Sequence, residues 1–160
     1  MFKTKNDIPE ATRGKMIELR NARLADCIDL QTQTKQAHWN VKGPNFIALH
    51  ELFDKVNEEV EDYVDDLAER VVQLGGVAEG TARMVAKRSA LSEYPGNAVD
   101  GRSHVDALSS ALAAFGKAAR KAIDQANDLP DLDTADLFTE ISRGIDKWLW
   151  FVEAHLQAER

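Results

Sequence analysis

The stretch that most limits how this 160-residue chain can fold runs from Lys35 to Gly76, KQAHWNVKGPNFIALHELFDKVNEEVEDYVDDLAERVVQLGG. Beyond the Lys42-Gly43-Pro44 break, apolar residues fall at Leu49, Phe53, Val56, Val60, Tyr63, Val64, Leu67, Val71 and Leu74. That stripe repeats every 3.6 residues without interruption, so it predicts an amphipathic helix. About thirty residues at 1.5 Å each make a rod of roughly 45 Å. A rod that long is well above the usual helix and points to a bundle.

The polar side of the rod carries side chains that bind metals. His50 and Asp54 are four apart, as are Asp65 and Glu69, and eleven residues separate Asp54 from Asp65. At about 100° per residue, all four project to roughly one side. Asp54 and Glu69 are nevertheless about 22 Å apart along the axis. Ligands of a single ion lie about 2 Å from it, so the two pairs cannot share a metal within one chain. They can if two copies of the helix pack antiparallel, and two-fold symmetry then gives two such sites. Glu51, Glu58, Glu59, Glu61, Asp62 and Asp66 lie on the same helix, and a merely solvated acidic face has this composition too.

A preceding helix is expected from about Thr12 to Asn40, with Ile17, Leu24 and Ile28 as its spine. Its last turn delivers His38 and Trp39, Gly43-Pro44 stops it, and Asn45 is placed to cap the next helix. Gly75-Gly76 ends that second helix, and residues 77–100 lose periodicity apart from a short helix near residues 81–87. A third long helix is expected over about Ser103 to Asn127, and a fourth from Asp133 or Thr134, either of which can cap it. The reading is all-α: a four-helix bundle with one long crossover between its second and third long helices. Residues 1–12 read as a short tail and 13–160 as one domain. His104 and His155 are expected at the surface, and Trp148 and Trp150 in packing or an interface.

Composition narrows the function classes. A net charge of −7 argues against a broad nucleic-acid-binding surface. No apolar run is long enough to span a membrane, and the first residues have no secretory core. The single Cys27 excludes an intrachain disulfide and fits a reducing cytoplasm. None of the four histidines follows a Glu by three residues, so the Glu-x-x-His di-iron site of a bundle core is disfavoured. Imidazole with carboxylate still suits iron, and zinc competes for the same ligands.

The run TKQAHWNVKGPNFIALHELFD, followed by DDLAERVVQLGG, resembles the Dps family, the mini-ferritins that protect DNA in starved bacteria. The likeness continues through Tyr94-Pro95, RKAID at 120–124, TAD at 134–136 and DKWLWFVEAHLQ at 146–157. It covers nearly the whole chain and is specific in its spaced His-Trp, His-x3-Asp and Asp-x3-Glu elements. The resemblance implies a ferritin-like four-helix bundle assembled into a dodecamer. It implies a ferroxidase site at a two-fold interface, with His38, His50 and Asp54 from one subunit and Asp65 and Glu69 from its neighbour. The last two would hold the tighter iron. Hydrogen peroxide, in preference to dioxygen, would oxidise Fe(II), and Fe(III) would be stored in the shell. Trp39, beside a ligand, would donate an electron and quench radicals.

Acidic three-fold pores are implied as well. Asp136, Glu140 and Asp146 are the candidates, the third roughly 80° round the helix from the first two. Family members often contact DNA through a Lys-rich N-terminal extension. Here only Lys3 and Lys5 precede the first acid, which leaves DNA binding and nucleoid association open beside a cytoplasmic iron-oxidising role.

Overall fold

The computed structural model describes residues 1–158 and is built from five helices: α1 (Glu10–Asn40), α2 (Phe46–Gln73), α3 (Ala82–Arg88), α4 (Gly101–Asp128) and α5 (Leu132–Glu153). No strand occurs among the described residues. α1 packs most extensively along α2, and α4 along α5; α1 also lies against α4 and α3. Residues 41–45 and 129–131 are too short for anything but antiparallel hairpins. A backbone bridge between Lys42 and Asp100 brings the α1–α2 turn to the start of α4. At the opposite end Met16, Leu74, Ala126 and Ala135 form one buried cluster. The second hairpin therefore starts where α2 starts, and residues 74–100 carry the chain back over the length of the bundle.

α2 follows its sequence pattern closely. Leu49, Phe53, Val56, Val60, Tyr63 and Leu67 are buried in the main core, and Val71 is buried beyond them, each contributing roughly 2 kcal/mol by leaving water. Tyr63 sits where α5 comes closest, and a Cβ on Gly144 would overlap its hydroxyl. Gly144 is thus the residue that lets α2 and α5 touch at that height. α1 is less regular because several elements cover it: Arg13, Arg20, Asn21, Asp26, Gln33 and Thr34 are buried beside its apolar residues. Asn21 binds the crossover through Val77 and Glu79, and Asp26 accepts from the Ala90 amide.

Several local expectations are corrected. Asn45 occupies the cap position of α2, but its side chain makes no capping bond. The α4 cap is Asp100, which accepts from the Ser103 amide at 3.0 Å. α5 is capped by Asp131 through the Thr134 amide at 3.1 Å, not by Asp133 or Thr134. Asp131 is drawn inward because two guanidiniums, Arg20 and Arg70, converge on it. Burial alone would raise its pKa, but the Thr134 bonds and these two charges outweigh that and hold it low. α1 begins at Glu10, two residues before the expected start. The segment before it lies on the bundle: the Phe2 amide donates to Gly75 at 2.7 Å, and Arg13 binds the carbonyls of Ile8 and Leu74. Gly75 has a φ of +86° and no room for a Cβ beneath the Phe2 carbonyl.

His104, expected at the surface, is 1% exposed. It stands four residues before Leu108 on the core face of α4, a spacing visible in the sequence. His155 is exposed. Trp148 is buried and Trp150 is largely exposed. No helix among the described residues is long and apolar enough to cross a membrane.

Candidate metal centre

The end of α1 and the start of α2 bring three of the five expected ligands together. His38 and His50 stack face to face, with ring centroids 3.7 Å apart and planes 21° apart. Nδ1 of His38 donates to the backbone carbonyl of His50 at 2.8 Å, and Nδ1 of His50 donates to the carbonyl of His38 at 2.8 Å. A carbonyl can only accept, so both rings are fixed with the proton on Nδ1. In its neutral form each ring then has its lone pair on Nε2, the form that binds a metal. The His38 carbonyl is one of the last in α1 and has no helical donor, so the His50 bond also closes the helix end.

Asp54 lies one turn along α2 from His50, with Oδ1 3.8 Å from His38 Nδ1. Its closest partner is Lys35, whose ammonium binds Oδ1 directly. That hydrogen bond, aided by the charges of His38 and Lys35, holds the Asp54 carboxyl below the usual carboxylate range against some desolvation. Lys35 is a residue the sequence reading missed. It stands three before His38, on the same face of α1, so its spacing carried the signal.

Asp65 and Glu69 lie elsewhere. Both are exposed on the far half of α2, which is unbroken from Phe46 to Gln73. Along that helix they stand about 16 and 22 Å beyond Asp54. Neither forms an ion pair or side-chain hydrogen bond among the described residues. The adjacent Asp66 has its pKa raised, first by partial burial and then by Asp62 and Asp65. Arg70, next to Glu69, is turned away to Asp131 at 3.1 Å and Asp133 at 3.2 Å. Among the described residues no three His, Cys, Asp or Glu side chains are grouped to hold an ion within one protomer. One protomer therefore assembles a histidine half and leaves an acidic half apart.

Trp39 is 66% exposed. It borders a groove of about 960 Å³ shared with Lys35, Asn57, Glu61 and Tyr94. Of the pore candidates, Asp136 and Glu140 are exposed one turn apart on α5. Asp146 is engaged by Arg120 at 2.8 Å.

Three comparisons place this architecture among known proteins. The model of the ferritin-like domain matches residues 17–160. The DNA protection during starvation protein of Agrobacterium fabrum is 46% identical over 155 residues, covering 97% of this chain and 96% of that one. Among solved structures, Mycobacterium smegmatis Dps in its tetragonal form superposes with a TM-score of 0.93 at 32% identity, over 99% of this chain and 95% of that one. Dps from Microbacterium arborescens, described in a high iron form, gives a TM-score of 0.85 at 32% identity, over 99% and 100% of the two chains.

Proposed function

Because this chain belongs to the ferritin-like Dps family of DNA protection during starvation proteins, we propose that it is a ferroxidase and iron-storage mini-ferritin. Its site is completed between two copies. His38, His50 and Asp54 of one subunit face Asp65 and Glu69 of another across a two-fold contact, and twelve subunits close into a hollow shell. The observation that carries this reading is the division of the ligands along one straight helix. The histidine half is pre-arranged, with both Nδ1 protons committed to main-chain carbonyls and both Nε2 atoms left for a metal. The acidic half is exposed and, among the described residues, unpaired. The iron named for the Microbacterium relative supports the choice of metal, and imidazole with carboxylate suits Fe(II), with zinc as a competitor.

Iron is the substrate. Two ferrous ions each give up one electron, and hydrogen peroxide, taken in preference to dioxygen, accepts both as its O–O bond breaks to two hydroxides. The Fe(III) passes to the mineral inside the shell. Asp65 and Glu69, with no cation of their own, hold the tighter ion. Lys35 neutralises Asp54 until a metal cation takes over that charge. Trp39, beside His38, donates an electron to radical by-products. Asp136 and Glu140 line the ion entry, and Asp146 lies beside them in its pair with Arg120.

DNA is protected chiefly by removing Fe(II) and peroxide together, in the cytoplasm. Direct coating of DNA is disfavoured by the net charge of −7 and by the way residues 2 and 8 are tied to the bundle. The test is an Asp65→Ala, Glu69→Ala double variant that still assembles. Peroxide-driven Fe(II) oxidation should collapse in it, and wild-type rates would sink the reading. Salt-sensitive retardation of DNA by the wild-type protein, lost when residues 1–12 are removed, would favour coating instead.

A further inference from the structure

α2 leaves an apolar side chain at each end that its own protomer does not cover. Ile47, in the first turn, is 61% exposed, and Val72, in the last, is 57% exposed. Phe46, beside Ile47, does have a partner in its own chain, the His50 ring, at 5.1 Å between centroids. Ile47 and Val72 are roughly 37 Å apart along the helix, yet at about 100° per residue they point within roughly 20° of each other. His50, Asp54, Asp65 and Glu69 project to that same side.

The spacing along this side is symmetric. Ile47 stands three residues before His50, and Val72 stands three after Glu69. An antiparallel contact that sets His50 opposite the partner's Glu69, and Asp54 opposite the partner's Asp65, therefore also sets Ile47 opposite the partner's Val72. The metal ligands and the apolar pair call for one register. Val72 borders a shallow, largely apolar dimple of about 380 Å³, with Ala68 and Ala78, beside Glu69. An isoleucine side chain is of a size to enter it.

The charges agree. Lys55 and Asp62 are exposed, and neither forms an ion pair among the described residues. They lie on one flank of α2, two turns apart and too far to meet within one helix. In a two-fold pair of antiparallel helices, like flanks adjoin. The same register then leaves Lys55 only about 3 Å, along the axis, from the partner's Asp62. Glu58 and Glu61, also exposed, lie nearest the midpoint and repel their counterparts, so the hold comes from the ends and the flanks.

We propose that α2 is a self-docking surface with a single register, in which Ile47 seats in the partner's dimple at Val72 and Lys55 pairs with the partner's Asp62. Two-fold symmetry repeats both contacts. Ile47 and Lys55 are positioning residues. They touch no iron, and they fix where the acidic half of one copy stands against the histidine half of the other. The proposal rests on reading the two halves as one shared site.

The test uses full-length assembled protein. Ile47→Cys and Val72→Cys are combined in one chain and treated with a short bis-maleimide; Cys27 is buried and does not compete. The pair should give a covalent dimer on denaturing gels. One chain cannot link itself across roughly 37 Å, and neither single variant should link, because each residue stands equally far from its own counterpart. Assembled shells in which the pair gives no dimer would overturn the register, and so would equal linking in a single variant.

Charge exchange tests the flank. Lys55→Asp and Asp62→Lys each set like charges together, and each should raise about 10-fold the concentration at which shells come apart on dilution at low salt, followed by light scattering. Combined, they restore opposite charges and should return it to within about 2-fold of wild type. A combined variant as weak as its two members together would refute the pairing. Co(II) absorption keeps this apart from the iron reading. A dimer that links but binds no Co(II) upholds the register and ends the shared metal site. Wild-type iron oxidation by shells that do not link upholds the site and ends the register.

Discussion

The two halves of the candidate site are built in opposite ways. The histidine half is folded into its protomer: both rings are stacked, both Nδ1 protons are committed, and Lys35 neutralises Asp54. The acidic half is two exposed carboxylates on one helix, with Asp62 and Asp66 for neighbours and no paired cation among the described residues. A pre-arranged set of ligands spends no further order on binding, whereas an unpaired set of like charges is relieved by a cation. The difference suggests that the protomer supplies aim from one end of α2 and attraction from the other.

The sharpest way to break this contrast is to separate the halves genetically. Asp65→Ala with Glu69→Ala should lower peroxide-driven iron oxidation at least ~100-fold, beyond the loss of a mere supporting residue. Its chemical denaturation midpoint should stay near wild type, since exposed sites shift stability by only about 0.5 kcal/mol. Equal amounts of that variant and a His38→Ala, His50→Ala variant, refolded together, should regain about a quarter of wild-type sites if each site draws its halves from two copies. No recovery in properly mixed shells would place both halves in one chain.

A second large effect concerns Arg70, which is held away from Glu69 by Asp131. Asp131→Asn leaves the buried Arg20 and the half-buried Arg70 against a neutral group and should cost about 3 kcal/mol at neutral pH. The folded pKa of Asp131 is depressed, so its stabilisation is present above the unfolded value of about 4 and fades as pH falls through the folded one. Denaturation curves of wild type and variant should therefore converge in acid. A gap that persists there would mean the ion pairs are not its source. The freed Arg70 should also weaken metal binding at the acidic half.

Smaller effects are expected at the histidine half. His50→Ala should abolish metal binding there and, unlike the acidic-half variant, also cost about 1 kcal/mol, because the His38 carbonyl loses its donor and the His38 ring its stacking partner. Unchanged stability would mean that the half is less integrated than its hydrogen bonds imply. Lys35→Met removes the cation that competes for Asp54, so Co(II) should bind severalfold tighter in titrations at neutral pH, an effect of about 1 kcal/mol or less. Weaker binding would recast Lys35 as a support.

Legibility in the sequence divides along similar lines. α2 was the most readable element because one face meets the core and the other does not, and its stripe from Leu49 to Val71 is buried apart from a half-buried Val64. α1 was harder. With α2, α4 and α3 packed around it, Arg20, Asn21, Asp26 and Gln33 are buried too, and each is matched by a partner distant in sequence. The same blindness affected caps. Asp100 and Asp131 each sit three residues before the amide they bind, but Asp133 and Thr134 offered an equally good local pattern. Only the convergence of Arg20 and Arg70 selects Asp131. His104 was assigned to the surface by its polarity, although its spacing to Leu108 placed it inside. Four of the five expected ligands were read as positions on one rod and His38 as the end of the helix before it; the Nδ1 protons of His38 and His50, and the presence of Lys35, required the α1–α2 hairpin to be closed.

The exchange of imidazole protons for main-chain carbonyls between His38 and His50 has a wider consequence. Metal-binding histidines are commonly oriented by a separate carboxylate or carbonyl partner. Here each imidazole is held by the main chain of the other histidine, so the brace outlasts the ring beside it. Loss of one ring removes the stacking contact and leaves the survivor's Nδ1 bond in place. A designer wishing to retune this end of the molecule can therefore replace the two imidazoles one at a time.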